Sequence, residues 1–207
     1  MLLHVSGASG VGKSRARVGA SKLLGAEFDH AELYTLGPIP PVPTVAWRQE
    51  QTEVAVRRAI ELQSEGRHLL FAGDPIPAGE VLAAPSADAI DIAVLLLDAD
   101  PAAQNARLDE RQDPPEWREA NLGFAEWMRR HATDPAHLTE VVTNGAWPEM
   151  RWERWIGNPA AARHWAMEVL DTSAMTPDAV AESVADWARR AVRGEAPVFR
   201  AGWFAAG

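Results

Sequence analysis

One stretch near the start of this chain brings together residue types that suit a single kind of chemistry. Gly7-Ala8-Ser9-Gly10-Val11-Gly12-Lys13-Ser14 satisfies the pattern G-x-x-x-x-G-K-[ST]. Its glycines let successive backbone N–H groups converge on one polyphosphate. Lys13 adds a point charge between the terminal phosphates, and the Ser14 hydroxyl is a ligand for Mg²⁺. A helix starting at Lys13 turns its positive end toward the same anion. The motif therefore makes residues 7–14 a candidate nucleotide-binding loop and requires a strand before it and a helix after it. A fortuitous glycine-rich turn is the alternative, and placement between strand-like and helical segments argues against it.

The flanking elements meet that requirement. Leu2 to Val5 reads as a short strand, and the helix should run from about Lys13 to Leu24, with Gly25 past its end. A weakly signalled second strand lies within Glu27 to Tyr34, followed by the proline-rich connection Gly37 to Pro43. Val45 to Ser64 is predicted as a helix closed by Gly66, and His68 to Gly73 as a strand that delivers Asp74 at its carboxyl end. Ile92 to Leu97 is continuously apolar, as strands buried on both faces of a parallel sheet are. Asp100-Pro101 opens another helix. Ala166 to Leu170 is a last strand candidate, and Thr176-Pro177 starts a final helix ending at Gly194. The tail from Glu195 has no assignment. Alternation of strands and helices at this spacing predicts a three-layer α/β fold around a parallel sheet.

Composition narrows the rest. The chain has 207 residues, 47% hydrophobic and 24% charged, enough apolar material for one packed core. A net charge of −9 argues against binding nucleic acid or an anionic membrane. With Cys 0 there is no disulfide, thiolate zinc site or cysteine nucleophile. The longest apolar run is far short of the ~20 residues of a membrane helix, and no basic leader precedes the first strand. A cytoplasmic location is therefore expected.

In the order of its segments the chain resembles the P-loop kinases of small molecules, the group that includes nucleoside monophosphate, gluconate and shikimate kinases and antibiotic phosphotransferases. The resemblance rests on the phosphate loop, on Phe71-Ala72-Gly73-Asp74, on Val94 to Asp100 with Ala106-Arg107-Leu108 and Arg111, and on Leu170 to Ser173 leading into Thr176-Pro177. It implies a five-stranded parallel sheet in the order 2-3-1-4-5, a single domain over 1–207, and a helical lid insertion at about 113–165. It implies ATP and Mg²⁺ as cofactors, with Ser14 on the metal and Asp74 near it through water. Lys13, Arg107 and Arg111 would neutralise charge on the transferring phosphoryl group. Asp74 could otherwise simply start a turn, and the two arginines could belong to a solvated helix face.

The acceptor side is less constrained. Asp29, His30 and Glu32 follow the weak second strand, where several small-metabolite kinases place a carboxylate that takes the acceptor's proton. Asp29 is the candidate general base, with an exposed turn carboxylate as the alternative. Trp47 and Arg48 could stack on and charge-pair with an acceptor, although Trp47 could equally be core. The tryptophans of the insertion are read first as packing. Asp74-Pro75-Ile76-Pro77 lacks the arginine with which nucleoside monophosphate kinases meet an acceptor phosphate, which favours an uncharged hydroxyl-bearing acceptor. The expected function is an ATP-dependent kinase acting on a small-molecule hydroxyl. A P-loop hydrolase or a regulatory nucleotide-binding module is the alternative, and the chain lacks Asn-Lys-x-Asp, Asp-x-x-Gly and an Asp-Glu strand end. The acceptor's identity and the oligomeric state stay open.

Overall fold

A computed structural model describes residues 1–205. In chain order the elements are β1 (Leu2–Ser6), α1 (Lys13–Leu23), β2 (Phe28–Ala31), α2 (Leu33–Leu36), α3 (Val45–Ser64), β3 (His68–Ala72), α4 (Ala78–Ala83), β4 (Ile92–Asp98), α5 (Pro101–Glu110), α6 (Arg118–His131), α7 (Glu140–Thr143), α8 (Pro159–Arg163), β5 (Glu168–Asp171) and α9 (Pro177–Val192). The strands form one parallel sheet in the order β2-β3-β1-β4-β5. No described helix is long and apolar enough to cross a membrane.

Strand alternation divides the core between the two faces of this sheet. Leu3, Val5, Leu70, Leu95 and Leu97 face α1 and α9, whose Ala16, Ala20, Val184 and Trp187 complete that layer. Leu2, Phe71, Val94 and Leu96 face the opposite way, toward α3, α4 and the tryptophan-rich segment. The central strands are thus covered on both faces, which explains the unbroken apolar run of β4.

The ordered elements of residues 113–165 are helical, and most of the aromatic residues there pack on or into the core, whereas Trp117 is exposed. Trp127 stacks on His131 with centroids 4.6 Å apart, and Trp155 and Trp165 meet the same imidazole edge-on. Trp165 also donates from its indole nitrogen to the His131 carbonyl at 2.8 Å. Burial pushes the His131 pKa down to about 4, so the ring is neutral, and its Nε2 accepts from the Gly79 N–H at 3.2 Å. The tail joins this cluster: Phe199 exchanges backbone hydrogen bonds with Ile92 at 2.8 and 2.9 Å, and its ring packs on Trp165 and Trp203.

Helix α1, which follows the glycine-rich loop, is held by close approach to α9. A Cβ on Gly19 would lie 2.5 Å from the Ala181 Cβ, so only glycine permits this crossing. Gly19→Ala is expected to destabilise the fold by about 1–3 kcal/mol, because the two helices must separate. Urea denaturation measures this, and an unchanged midpoint would show that the helices separate without cost.

Candidate functional site

The site is built at the carboxyl edge of the sheet. β1 ends at Ser6, and the chain turns through Gly7 to Gly12 into α1. Gly7 has φ 144°, and a Cβ there would sit 2.6 Å from the Leu97 carbonyl oxygen on β4, so the turn admits only glycine. Gly12, the N-cap of α1, is left-handed, and neither a side-chain cap nor an acidic residue occupies the first turn. The N–H groups at this helix end are therefore open to an anion from outside the chain.

Lys13 is nearly inaccessible, with 4% of its surface exposed, and donates from Nζ to the Ala8 carbonyl at 2.7 Å. Burial lowers its pKa to about 7; the Asp74 charge partly opposes that shift, and the Arg111 charge adds to it. Ser14 Oγ donates to Glu32 Oε2 at 3.2 Å, which leaves the oxygen's lone pairs free. Glu32 is itself buried, ion-paired with Arg17, and pressed against Gly73, where a Cβ would come within 2.3 Å of Oε2. Asp74 Oδ2 accepts from the Leu33 N–H at 3.0 Å. The Asp74 carboxyl lies above the usual range, chiefly through burial, with Glu32 adding to the rise while Lys13 and Arg48 oppose it.

Lys13 and Ser14 border a pocket of ≈ 340 Å³ whose lining also includes Gly10, Gly12, Arg15, Gly73, Arg107, Glu110 and Arg111. A second cleft of ≈ 200 Å³ shares Gly12, Arg15, Arg107 and Glu110 with it and adds the apolar Val11, Ala16, Met175, Pro177 and Val180. Together they make a groove with a polar end at the loop and an apolar end at the start of α9. Arg107 is tied to the β5–α9 connection: it donates to Thr172 Oγ1 at 2.8 Å and to the Thr172 carbonyl. Arg111 pairs with Asp113 at 2.6 Å.

The expected residues thus divide. Lys13, Ser14, Asp74, Arg107 and Arg111 gather around the loop. Asp29 does not. It stands within β2, level with Leu69 and so with Leu2 at the start of β1, roughly 13 Å below the edge at 3.3 Å per residue. Burial there raises its carboxyl, but Arg58 at 3.1 Å, the His30 N–H and the Arg67 charge together outweigh that and hold it below the usual range. β2 runs two residues further than a turn at Asp29 would allow, so the carboxylate at the edge is Glu32. Trp47, in the first turn of α3, packs against the core, as its alternative reading had it. Arg48 reaches the fully buried Glu80, donating Nε to Oε2 at 2.9 Å, and its charge is felt at Asp74. Sequence reasoning passed over Glu80, Gln104 and Thr172. Gln104 donates to the Ser9 carbonyl at 2.8 Å and so fixes the crest of the loop from α5.

No protein-family model matches the chain, and no curated protein matches it either. Among solved structures the chain is similar to an unliganded sugar kinase from Janibacter sp. HTCC2649, with 15% identity, TM-score 0.53, and 91% of this chain and 94% of that one covered. It is also similar to the Pnkp1/Rnl/Hen1 RNA repair complex, at 16% identity, TM-score 0.45, and 62% and 45% coverage. An uncharacterized protein from Eubacterium ventriosum shows 10% identity, TM-score 0.45, and 94% and 98% coverage. The likeness to the sugar kinase is one of fold.

The buried lysine would make anion binding at the loop pH-dependent. An anion seated on the loop restores full charge to Lys13, so binding above the free pKa of about 7 takes up a proton. Affinity for a polyphosphate is expected to fall up to about tenfold per pH unit above that value. Calorimetry in buffers of differing ionisation enthalpy measures the uptake; pH-independent affinity with no uptake would show the ammonium already charged.

Proposed function

We propose that this protein is a phosphotransferase that moves the γ-phosphoryl group of Mg·ATP to a hydroxyl of a small molecule. The observation that carries this reading is a nearly inaccessible lysine beside an uncapped helix N-terminus and a pocket of ≈ 340 Å³. Such a lysine lacks enough anionic charge around it, and a polyphosphate supplies what is missing.

The residues suit a triphosphate and its metal. Among the described residues no group of three or more acidic or histidine side chains forms a metal cage. Mg²⁺ does not need one, since it is commonly held by one or two protein oxygens, by phosphate oxygens and by retained waters. Ser14 Oγ would be a direct ligand, because its proton is committed to Glu32. Asp74 would face the metal's water shell. When bound, the metal neutralises charge on the β- and γ-phosphates.

The chain's own groups then do positional and electrostatic work. Lys13 leaves Ala8 for the terminal phosphates, and Arg111 adds charge from the opposite wall. The apolar end of the groove, between Arg107 and Pro177, takes the nucleobase. The acceptor approaches from the Asp74 and Arg48 side. Its oxygen bonds to the γ-phosphorus as the bond to the β-bridging oxygen breaks, and its proton passes to Asp74, whose raised proton affinity suits that task.

The deciding experiment mixes the protein with Mg·ATP and a panel of hydroxyl-bearing acceptors. Acceptor-dependent ADP release is expected; release independent of acceptor would mark a hydrolase, and binding without release a regulatory module. Lys13→Ala should cut turnover at least about 10³-fold while circular dichroism stays native. Asp74→Asn should cut it about 10²-fold or more; full activity in either variant removes the role given to that residue.

A further inference from the structure

β1 is the most thoroughly buried strand beside the loop, yet it carries two polar side chains. Leu2, Leu3 and Val5 are apolar and 0% exposed, while His4 and Ser6 are polar and almost equally buried. Both lie on the α3–α4 face, two residues apart, and both reach one atom. His4 Nε2 is 2.9 Å from the Ile76 carbonyl oxygen, and Ser6 Oγ donates to that same oxygen at 2.7 Å. The other ring nitrogen of His4 lies 3.3 Å from the Phe71 carbonyl, so the shorter contact assigns the proton to Nε2.

A buried carbonyl needs one donor to be satisfied, and this one has two from side chains alone. The oxygen they hold ends a tight turn: Ile76 N–H donates back to the Asp74 carbonyl at 2.9 Å across Pro75. The other end of the turn is anchored through the Asp74 carboxylate on the Leu33 N–H at 3.0 Å. Asp74 also lies near Glu32, a buried like charge that tends to push it outward.

We infer that His4 and Ser6 are positioning residues, which hold the Ile76 carbonyl and thereby fix the Asp74 carboxylate against the repulsion of Glu32 at the metal side of the loop. This rests on the phosphotransfer reading. The clamp acts from beneath the loop, through the same strand that leads into Gly7. One rigid element therefore sets both the phosphate cradle and the carboxylate facing it.

The test is calorimetric titration of the full chain with ATP, with and without Mg²⁺, for the wild type, Ser6→Ala, Ser6→Thr and His4→Phe. The wild type should bind Mg·ATP more tightly than metal-free ATP. Ser6→Ala should lose about fivefold in Mg·ATP affinity, the effect of one hydrogen bond, with metal-free affinity unchanged within about twofold. Ser6→Thr keeps the hydroxyl and should restore the wild-type value. His4→Phe should shift affinity as Ser6→Ala does; if circular dichroism shows that it does not fold, the two Ser6 variants decide. An equal loss for both ligands, or none, overturns the clamp while the phosphotransfer reading stands. Absence of any ATP binding by the wild type overturns that reading, and the clamp with it.

Discussion

Burying an ammonium group costs free energy unless opposite charge is close, and the carboxyl edge of this sheet is arranged around that cost at Lys13. The nearest helix end presents bare N–H groups rather than a carboxylate cap. The carboxylates within reach are largely committed elsewhere, Glu32 to Arg17 and Ser14 and Asp74 to Leu33. The protein thus keeps an electropositive hollow next to acids that are held at its border. Stability alone would have favoured filling the hollow or pairing the lysine, and the sheet's apolar faces supply the rigidity that sustains it.

That rigidity comes from opposite directions. On one face, α1 is pressed onto α9 at Gly19, so the helix that starts at Lys13 is seated at its middle. On the other, the aromatic cluster centred on His131 fixes α6 against α4, and Gln49 ties α3 to α7 through the Val142 carbonyl at 2.9 Å. Arg154 extends the same network to the Ala84 and Pro85 carbonyls at 2.6 and 2.7 Å. The segment 113–165 therefore packs its inner surface as core. The groove beside the loop is lined instead by Arg107, Glu110 and Arg111, which precede this segment.

Much of this was legible in the residues, for physical reasons. The glycine-lysine-serine motif marks its own strand and helix because only that context lets the backbone converge. The apolar run of β4 and the Asp100-Pro101 and Thr176-Pro177 helix starts are purely local signals, and α3 spans Val45–Ser64 as its periodicity requires. The position of Asp29 was not legible. β2 is short and half-exposed, so nothing local says which of Asp29 and Glu32 reaches the edge; the register with β3 decides it. Helix α4 was missed because all six of its residues are buried, leaving no polar face to create a period. The tail was missed because a single bridge from Phe199 to Ile92 is a long-range event without a local pattern.

That bridge bears on how the chain reaches its native state. Phe199 and Trp203 seal Trp165, which in turn covers His131 and Trp155, while Phe199 also pairs with the first residue of a central strand. Contacts so distant along the polypeptide form late and slow the search for the folded state. A nascent chain from which Phe199 and Trp203 have not yet emerged would carry an unsealed aromatic surface, open to chaperones and to self-association until they dock.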